Sequence, residues 1–198
     1  MSNTVSNILT INGTEEQVAQ VRNYIKGSNG ESISLQSIVP MPKELKGKRM
    51  VEIKDLPEGM KPISIPDWMY WRMQYWGCKW DAEPIRDDAV DAPNRILFNT
   101  PSTTPLEAMA ILSAKFPEVT LQVIFCDQHE DFYCGEYTLS GGDAVDMVWY
   151  DVWAPKHDEI SIDQVMEYYF LTHEYDRGMW KKDEDGHWCR IDDDQDKE

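Results

Sequence analysis

The chain is predicted to fold as an α+β protein, a split β-α-β antiparallel sheet with helices on one face, followed by an acidic C-terminal extension. Three observations predict this. Residues 1 to 142 alternate between strand-like and helix-like periodicity in the order strand, helix, strand, insertion, strand, helix, strand, strand. A hydrophobic share of 41% with 11% aromatics is enough to fill a core under that sheet. The charge changes at the boundary: residues 143–198 hold 17 acids and 6 bases, net -11, against 19 acids and 13 bases, net -6, before them.

Taking the elements in order, Val5 to Ile11 alternate loosely and stop at Asn12-Gly13, a strand followed by a turn. Thr14 and Gln17 form a capping box, and Val18, Val21 and Ile25 give the helix one apolar face. Gly27 and Asn29-Gly30 stop it. Ser32 to Val39 reads as a second strand, ended by Pro40-Met41-Pro42.

Residues 43 to about 92 read as an insertion. Its start is rich in lysine, proline and glycine and predicts a long loop. Asp67 then caps a short helix crowded with Trp68, Trp71, Tyr75 and Trp76, which Gly77 ends before Cys78-Lys79-Trp80. Four of the eight tryptophans lie between 68 and 80, so the insertion is the most aromatic part of the chain.

Arg95-Ile96-Leu97-Phe98 is a strand, and Thr104-Pro105-Leu106-Glu107 carries an N-cap, a proline at the first helical position and a glutamate in the first turn. Leu106, Met109, Ala110 and Leu112 give that helix its apolar face. Val119 to Cys126 and Phe132 to Leu139 form an antiparallel pair closed by Gly141-Gly142. This order fits a ferredoxin-like unit over residues 1–142. In the extension, 143–198, Ser161 and Gln164 predict a helix bearing Val165, Met166, Tyr169 and Phe170. Trp180 and Trp188 flank a hairpin turn at Asp185-Gly186, and Asp192 to Glu198 is a solvated tail.

Charge and composition exclude several functions. With 19 Lys and Arg against 36 Asp and Glu, the net -17 opposes direct nucleic-acid binding through distributed basic charge, and opposes a cationic membrane-surface role. No run approaches the roughly 20 apolar residues of a membrane span. The start, Met1-Ser2-Asn3-Thr4, lacks a secretory pattern, so a cytoplasmic protein is expected. Cys78, Cys126, Cys134 and Cys189 are scattered and read as reduced thiols rather than a disulfide framework.

Several local patterns coincide: Asn7-Ile8-Leu9-Thr10-Ile11-Asn12-Gly13, Val39-Pro40-Met41-Pro42-Lys43-Glu44-Leu45, Trp76-Gly77-Cys78-Lys79-Trp80-Asp81-Ala82, and Phe98-Asn99-Thr100 before Pro105. Phe116-Pro117 and Glu130-Asp131-Phe132 with Gly135 complete the set. Across residues 5 to 140 the chain resembles the YubB-like ferredoxin-like domain proteins. Pro101-Ser102 stands where that family commonly carries a tryptophan. The resemblance implies a ferredoxin-like fold in a protein of phages, plasmids or other mobile elements, and it carries over no catalytic residues.

The candidate sites divide into three. Trp68, Trp71, Trp76, Lys79 and Trp80 suit a ligand or partner surface, although aromatics at helical spacing beside a sheet more often fill a core. Cys126, His129 and Cys134, with His187 and Cys189, have zinc-type donors but irregular spacing, so neither metal nor cofactor is expected. Asp183, Glu184, Asp185, Asp192, Asp193 and Asp194 form an acidic partner surface. Pairs such as Asp87-Asp88 and Asp158-Glu159 read as solvated turns, and Lys43, Lys46, Lys48 and Arg49 as a counterweight to the acids. No nucleophile signature or phosphate-cradling loop is present. The expectation is a non-catalytic accessory protein that binds a host protein with a basic surface and inhibits a nucleic-acid-binding or defence protein. The alternative is a small-molecule-binding domain or small enzyme with its pocket at Trp68–Trp80.

Overall fold

The structure, a computed structural model, describes residues 3–45, 49–54, 61–85, 92–127, 133–150 and 162–191. Strand β1 (Thr4–Asn12) leads into helix α1 (Glu15–Ile25) through the expected capping box. Thr14 Oγ1 accepts from the Gln17 amide at 3.3 Å and Gln17 Oε1 accepts from the Thr14 amide at 2.8 Å. Val18, Val21 and Ile25 are the buried stripe.

The strand expected at Ser32–Val39 is absent. Ser34 is extended, and Leu35–Ile38 form a one-turn helix, α2. A side chain remote in sequence decides this: the Asp81 carboxylate accepts from Ser34 Oγ at 2.8 Å and from the Leu35 amide, capping the turn from outside. Ile33, Leu35 and Ile38 are buried.

The insertion is more ordered than a loop. Met50–Ile53 (β2) pairs with Ile63–Pro66 (β3), and α3 (Asp67–Tyr75) follows directly. A two-residue strand, β4 (Glu83–Pro84), then joins β5 (Arg95–Pro101). Helix α4 (Leu106–Lys115) starts after Pro105, but Thr104 is not its side-chain cap; the Thr104 hydroxyl instead meets the Tyr137 hydroxyl at 3.0 Å.

Strands β6 (Thr120–Asp127), β7 (Cys134–Ser140) and β8 (Asp143–Tyr150) complete a six-stranded antiparallel sheet in the order β4-β5-β1-β6-β7-β8. Because β1 is antiparallel to both neighbours, β5 and β6 run parallel on either side of it and α4 connects them, a split β-α-β unit. Gly141-Gly142, expected to close the first unit, is the turn between β7 and β8, so the sheet runs on into the acidic extension. Val145, Met147 and Trp149 alternate along β8, a strand the sequence reading did not assign.

Side chains alternate across the sheet. Val5, Leu9, Ile11, Phe98, Leu121, Val123, Phe125 and Tyr137 pack with α1, α2 and α4 in the main core. Helices on one face only were expected, and the extension corrects that. Helix α5 (Ile162–Thr172) lays Val165, Met166, Tyr169 and Phe170 against Ile124, Cys126, Cys134 and Val148 on the other face. Each of those α5 side chains contributes on the order of 1.5–3 kcal/mol when fully buried. A 3₁₀ segment (Glu174–Met179) and the hairpin β9 (Trp180–Lys182) with β10 (Trp188–Arg190) follow, as the flanking tryptophans predicted.

Cys126 and Cys134 are joined as a disulfide, correcting the expectation of reduced thiols. The β6–β7 register places them directly opposite each other, which depends on where the hairpin turns and not on the cysteine count. Cys78 and Cys189 are free. Among the described residues there are five α-helices, and none is long and apolar enough to cross a membrane.

Candidate functional site

The tryptophan segment separates into an anchor and a surface. Trp76 is 1% exposed and its Nε1 donates to the Val39 carbonyl at 2.9 Å, tying α3 to the end of α2. Gly77 turns the chain with φ of 81°, and a side chain there would collide with the Glu107 carboxylate. Asp81 then caps α2. A chain of hydrogen bonds reaches the same loop from β1: Asn7 Nδ2 donates to Thr100 Oγ1 at 2.9 Å, Thr100 to the Thr103 carbonyl at 2.7 Å, and Thr103 Oγ1 to the Gly77 carbonyl at 2.6 Å. The motifs around Asn7, Thr100 and Trp76-Gly77 therefore meet in one structural joint, with Asn7 fully buried.

The surface part is Trp68 and Trp80, whose rings lie 5.1 Å apart, with Trp80 49% exposed. The Arg72 guanidinium lies 4.5 Å from the Trp76 ring centre, 5.2 Å from Trp68 and 5.7 Å from Trp80, while Lys79 Nζ is 5.2 Å from Trp80. Burial pushes the Arg72 pKa down, opposed by Asp81 and Cys78. Trp71 stacks on Tyr75 at 4.7 Å. Exposed Met50, Ile63, Tyr70, Met73, Tyr75 and Trp80 all belong to this part of the chain. The predicted set is thus brought together, with Trp76 as core and Trp68, Lys79 and Trp80 as surface.

Two nucleophile candidates fail on geometry. The Cys78 thiol is buried and pushed up to about 12, by burial first and then by Asp81 and Glu107, so it stays protonated near neutrality. Ser6 Oγ lies 3.2 Å from His173 Nε2, a pairing that sequence reading missed because 167 residues separate them. His173 Nδ1 meets Thr172 Oγ1 at 2.8 Å and the Tyr169 carbonyl at 3.2 Å, and Ser6 also bonds Asn99 at 2.9 Å. Both Ser6 and His173 are 1% exposed, so this network fastens α5 to β1 rather than meeting a substrate.

The acids of the extension stay in solvent. Asp183, Glu184 and Asp185 are exposed at the β9–β10 turn. Asp183 accepts from the Asp185 and His187 amides at 3.0 and 2.8 Å, which holds its carboxyl below the usual range and accounts for its place in the turn. Asp183, Asp185 and His187 offer ligand atoms within 4.8 Å of one another, all exposed. Among the described residues the zinc grouping is not assembled: Cys126 and Cys134 are bonded to each other, and Cys189 Sγ faces the Lys181 carbonyl at 3.5 Å. Asp192, Asp193, Asp194, His129, Asp87, Asp88, Asp158, Glu159, Lys46 and Lys48 lie outside the described residues.

A second concavity was not foreseen. A cavity of about 190 Å³ opens between the start of α4 and the β6–β8 end of the sheet, lined by Phe125, Tyr133, Tyr137, Trp149 and the Glu107 carboxylate among others. The sequence assigned Phe125 and Tyr137 to a strand pair, but only the pairing of β7 with β8 brings them together with Trp149.

The chain matches no protein-family model and no curated protein. The crystal structure of protein api92 from Yersinia pseudotuberculosis, described under the family model DUF1281, is similar over 41% of this chain, with 25% identity and a TM-score of 0.33. The match spans 29% of that protein's chain.

Proposed function

We propose that the protein is a non-catalytic accessory module of a mobile genetic element, which binds a basic surface of a host protein through the acids of its C-terminal third. One observation carries the reading. Helix α5 and the β9–β10 hairpin are anchored to the sheet through Val165, Met166, Phe170 and Trp188, while Asp163, Glu167, Asp183, Glu184 and Asp185 all remain exposed. Carboxylates displayed on an anchored element lose little further freedom on binding, and their field speeds encounter with a basic partner.

In this reading the fold is ferredoxin-like and the chain is YubB-like. Support comes from the split β5-α4-β6 unit around β1, with β4 holding the place of a shortened outer strand. Inhibition of a nucleic-acid-binding or defence protein follows if the carboxylates occupy the partner's phosphate sites. The proposed compartment is the cytoplasm; a Cys126–Cys134 bridge that persists in the cell would count against it.

The test is affinity capture from a bacterial lysate with the intact chain and a triple variant, Asp183→Lys, Glu184→Lys and Asp185→Lys, at low and moderate salt. A partner that is retained by the parent, released by salt and lost by the variant supports the proposal. Retention that ignores both the charge reversal and the salt removes it.

A further inference from the structure

We propose that the cavity between α4 and strands β6, β7 and β8 binds a quaternary or fully methylated ammonium group. The proposal concerns a different face from the acidic hairpin and stands independently of it.

The walls are aromatic on three strands. Register sets Gly135 directly between Phe125 and Trp149, so the row across the sheet reads aromatic, glycine, aromatic. A Cβ at Gly135 would lie 2.6 Å from Trp149 Cα, so the missing side chain is what allows β8 and Trp149 to sit there. Phe125 also contacts Tyr133 at 4.8 Å and Tyr137 at 6.0 Å between ring centres. Rings around a small cavity attract a cation by their quadrupoles, most strongly when the cation is weakly hydrated.

The polar groups point the same way. The Tyr137 and Thr104 hydroxyls are bonded to each other, and Thr103 Oγ1 is committed to the Gly77 carbonyl. One hydroxyl of the Tyr137–Thr104 pair keeps its proton and Thr103 Oγ1 keeps acceptor capacity, so polar contacts in the lining are few; a tetraalkylammonium needs none. Glu107 supplies the carboxylate in the lining. It is in the first turn of α4, and its full negative charge outweighs the roughly half-unit positive end of the helix dipole. At about 190 Å³ the space is smaller than the roughly 300–1,000 Å³ of drug-sized pockets and suits a head group.

The test titrates the intact chain with choline and with its neutral isostere 3,3-dimethylbutan-1-ol at constant ionic strength, following tryptophan fluorescence and heat. Choline is expected to bind saturably at one site and about tenfold more tightly than the isostere. Glu107→Gln should weaken choline several-fold, Tyr133→Leu should abolish binding, and Trp80→Leu, outside the cavity, should change nothing. A methyl-capped trimethyllysine is a parallel arm: its binding assigns the site to a modified side chain, and binding of choline alone assigns it to a free small cation. Absence of saturable choline and trimethyllysine binding, equal affinity for the isostere, or full affinity in Glu107→Gln overturns the proposal. Because Glu107 is exposed, that variant keeps the test decisive even if Tyr133→Leu folds poorly.

Discussion

Ser6 Oγ and His173 Nε2 lie 3.2 Å apart in the interior and join the first strand of the sheet to the end of α5. Neither periodicity nor a motif foretold this bond, which, together with the packing of Val165, Met166 and Phe170, ties the end of α5 to the sheet. His173→Ala removes this bond while Ser6 keeps its bond to Asn99, and the lost hydrogen bond should cost about 0.5–1.5 kcal/mol. Hydrogen exchange should show α5 amides opening first, while those of β1 and β6 hold. Equal acceleration across all three elements would count against a tether.

Asp81 is expected to control α2 from a distance. Asp81→Ala removes the acceptor for Ser34 Oγ and the Leu35 amide and should cost about 0.5–2 kcal/mol in denaturant unfolding, whereas Glu83→Ala, an exposed neighbour, should stay near parent. Similar losses from both variants would refute the cap.

Thiol titration distinguishes the cysteines. Without reductant the native chain should offer one accessible thiol, half-buried Cys189, and denaturant should expose Cys78 as a second. Reduction under denaturant should then reveal Cys126 and Cys134, for four in all. Four fast thiols in the native oxidised chain would mean that the bridge is absent.

Alkaline pH should destabilise the fold through Cys78. Its folded pKa is raised from 9.0 to about 12, so the unfolded chain loses the proton first. Stability is intact below pH 9 and falls by about 1.4 kcal/mol per pH unit as pH rises toward 12. Tyr137 is shifted upward in the same sense, by burial, and adds to the loss above pH 10. Urea midpoints of Cys78→Ala should therefore decline later than those of the parent; superimposed pH profiles would contradict the assignment.

Acid should act on the hairpin. Asp163 accepts from Lys182 Nζ at 2.9 Å and Trp188 Nε1 at 2.8 Å, and both bonds hold its carboxyl below the usual 3.8. That support is complete above pH 3.8 and disappears as pH falls through the lowered folded value. Trp188 fluorescence, read against Asp163→Asn, should change in that acid window in the parent only.

Local chemistry was legible wherever a signal is complete within a few residues. The Thr14–Gln17 capping box, the apolar stripe of α1, the β6–β7 pair and the Trp180–Trp188 hairpin all follow from neighbours along the chain. Ser32–Val39 was misread because its conformation is imposed by Asp81, more than forty residues away. The tryptophan segment was found by its composition, but its division into a buried Trp76 and an exposed Trp80 depends on α2 supplying the Val39 carbonyl.

Sequence alone thus determined the α+β class, the helices α1, α3, α4 and α5, the β6–β7 and β9–β10 hairpins, the aromatic insertion and the concentration of acid after residue 142, because each arises from short-range periodicity or from composition. Tertiary structure decided the order of the strands, the second layer formed by α5, the Cys126–Cys134 pairing and the aromatic cavity. Each of those depends on register or on contacts between distant segments, and a one-residue slip in register would turn every side chain of a strand to the opposite face.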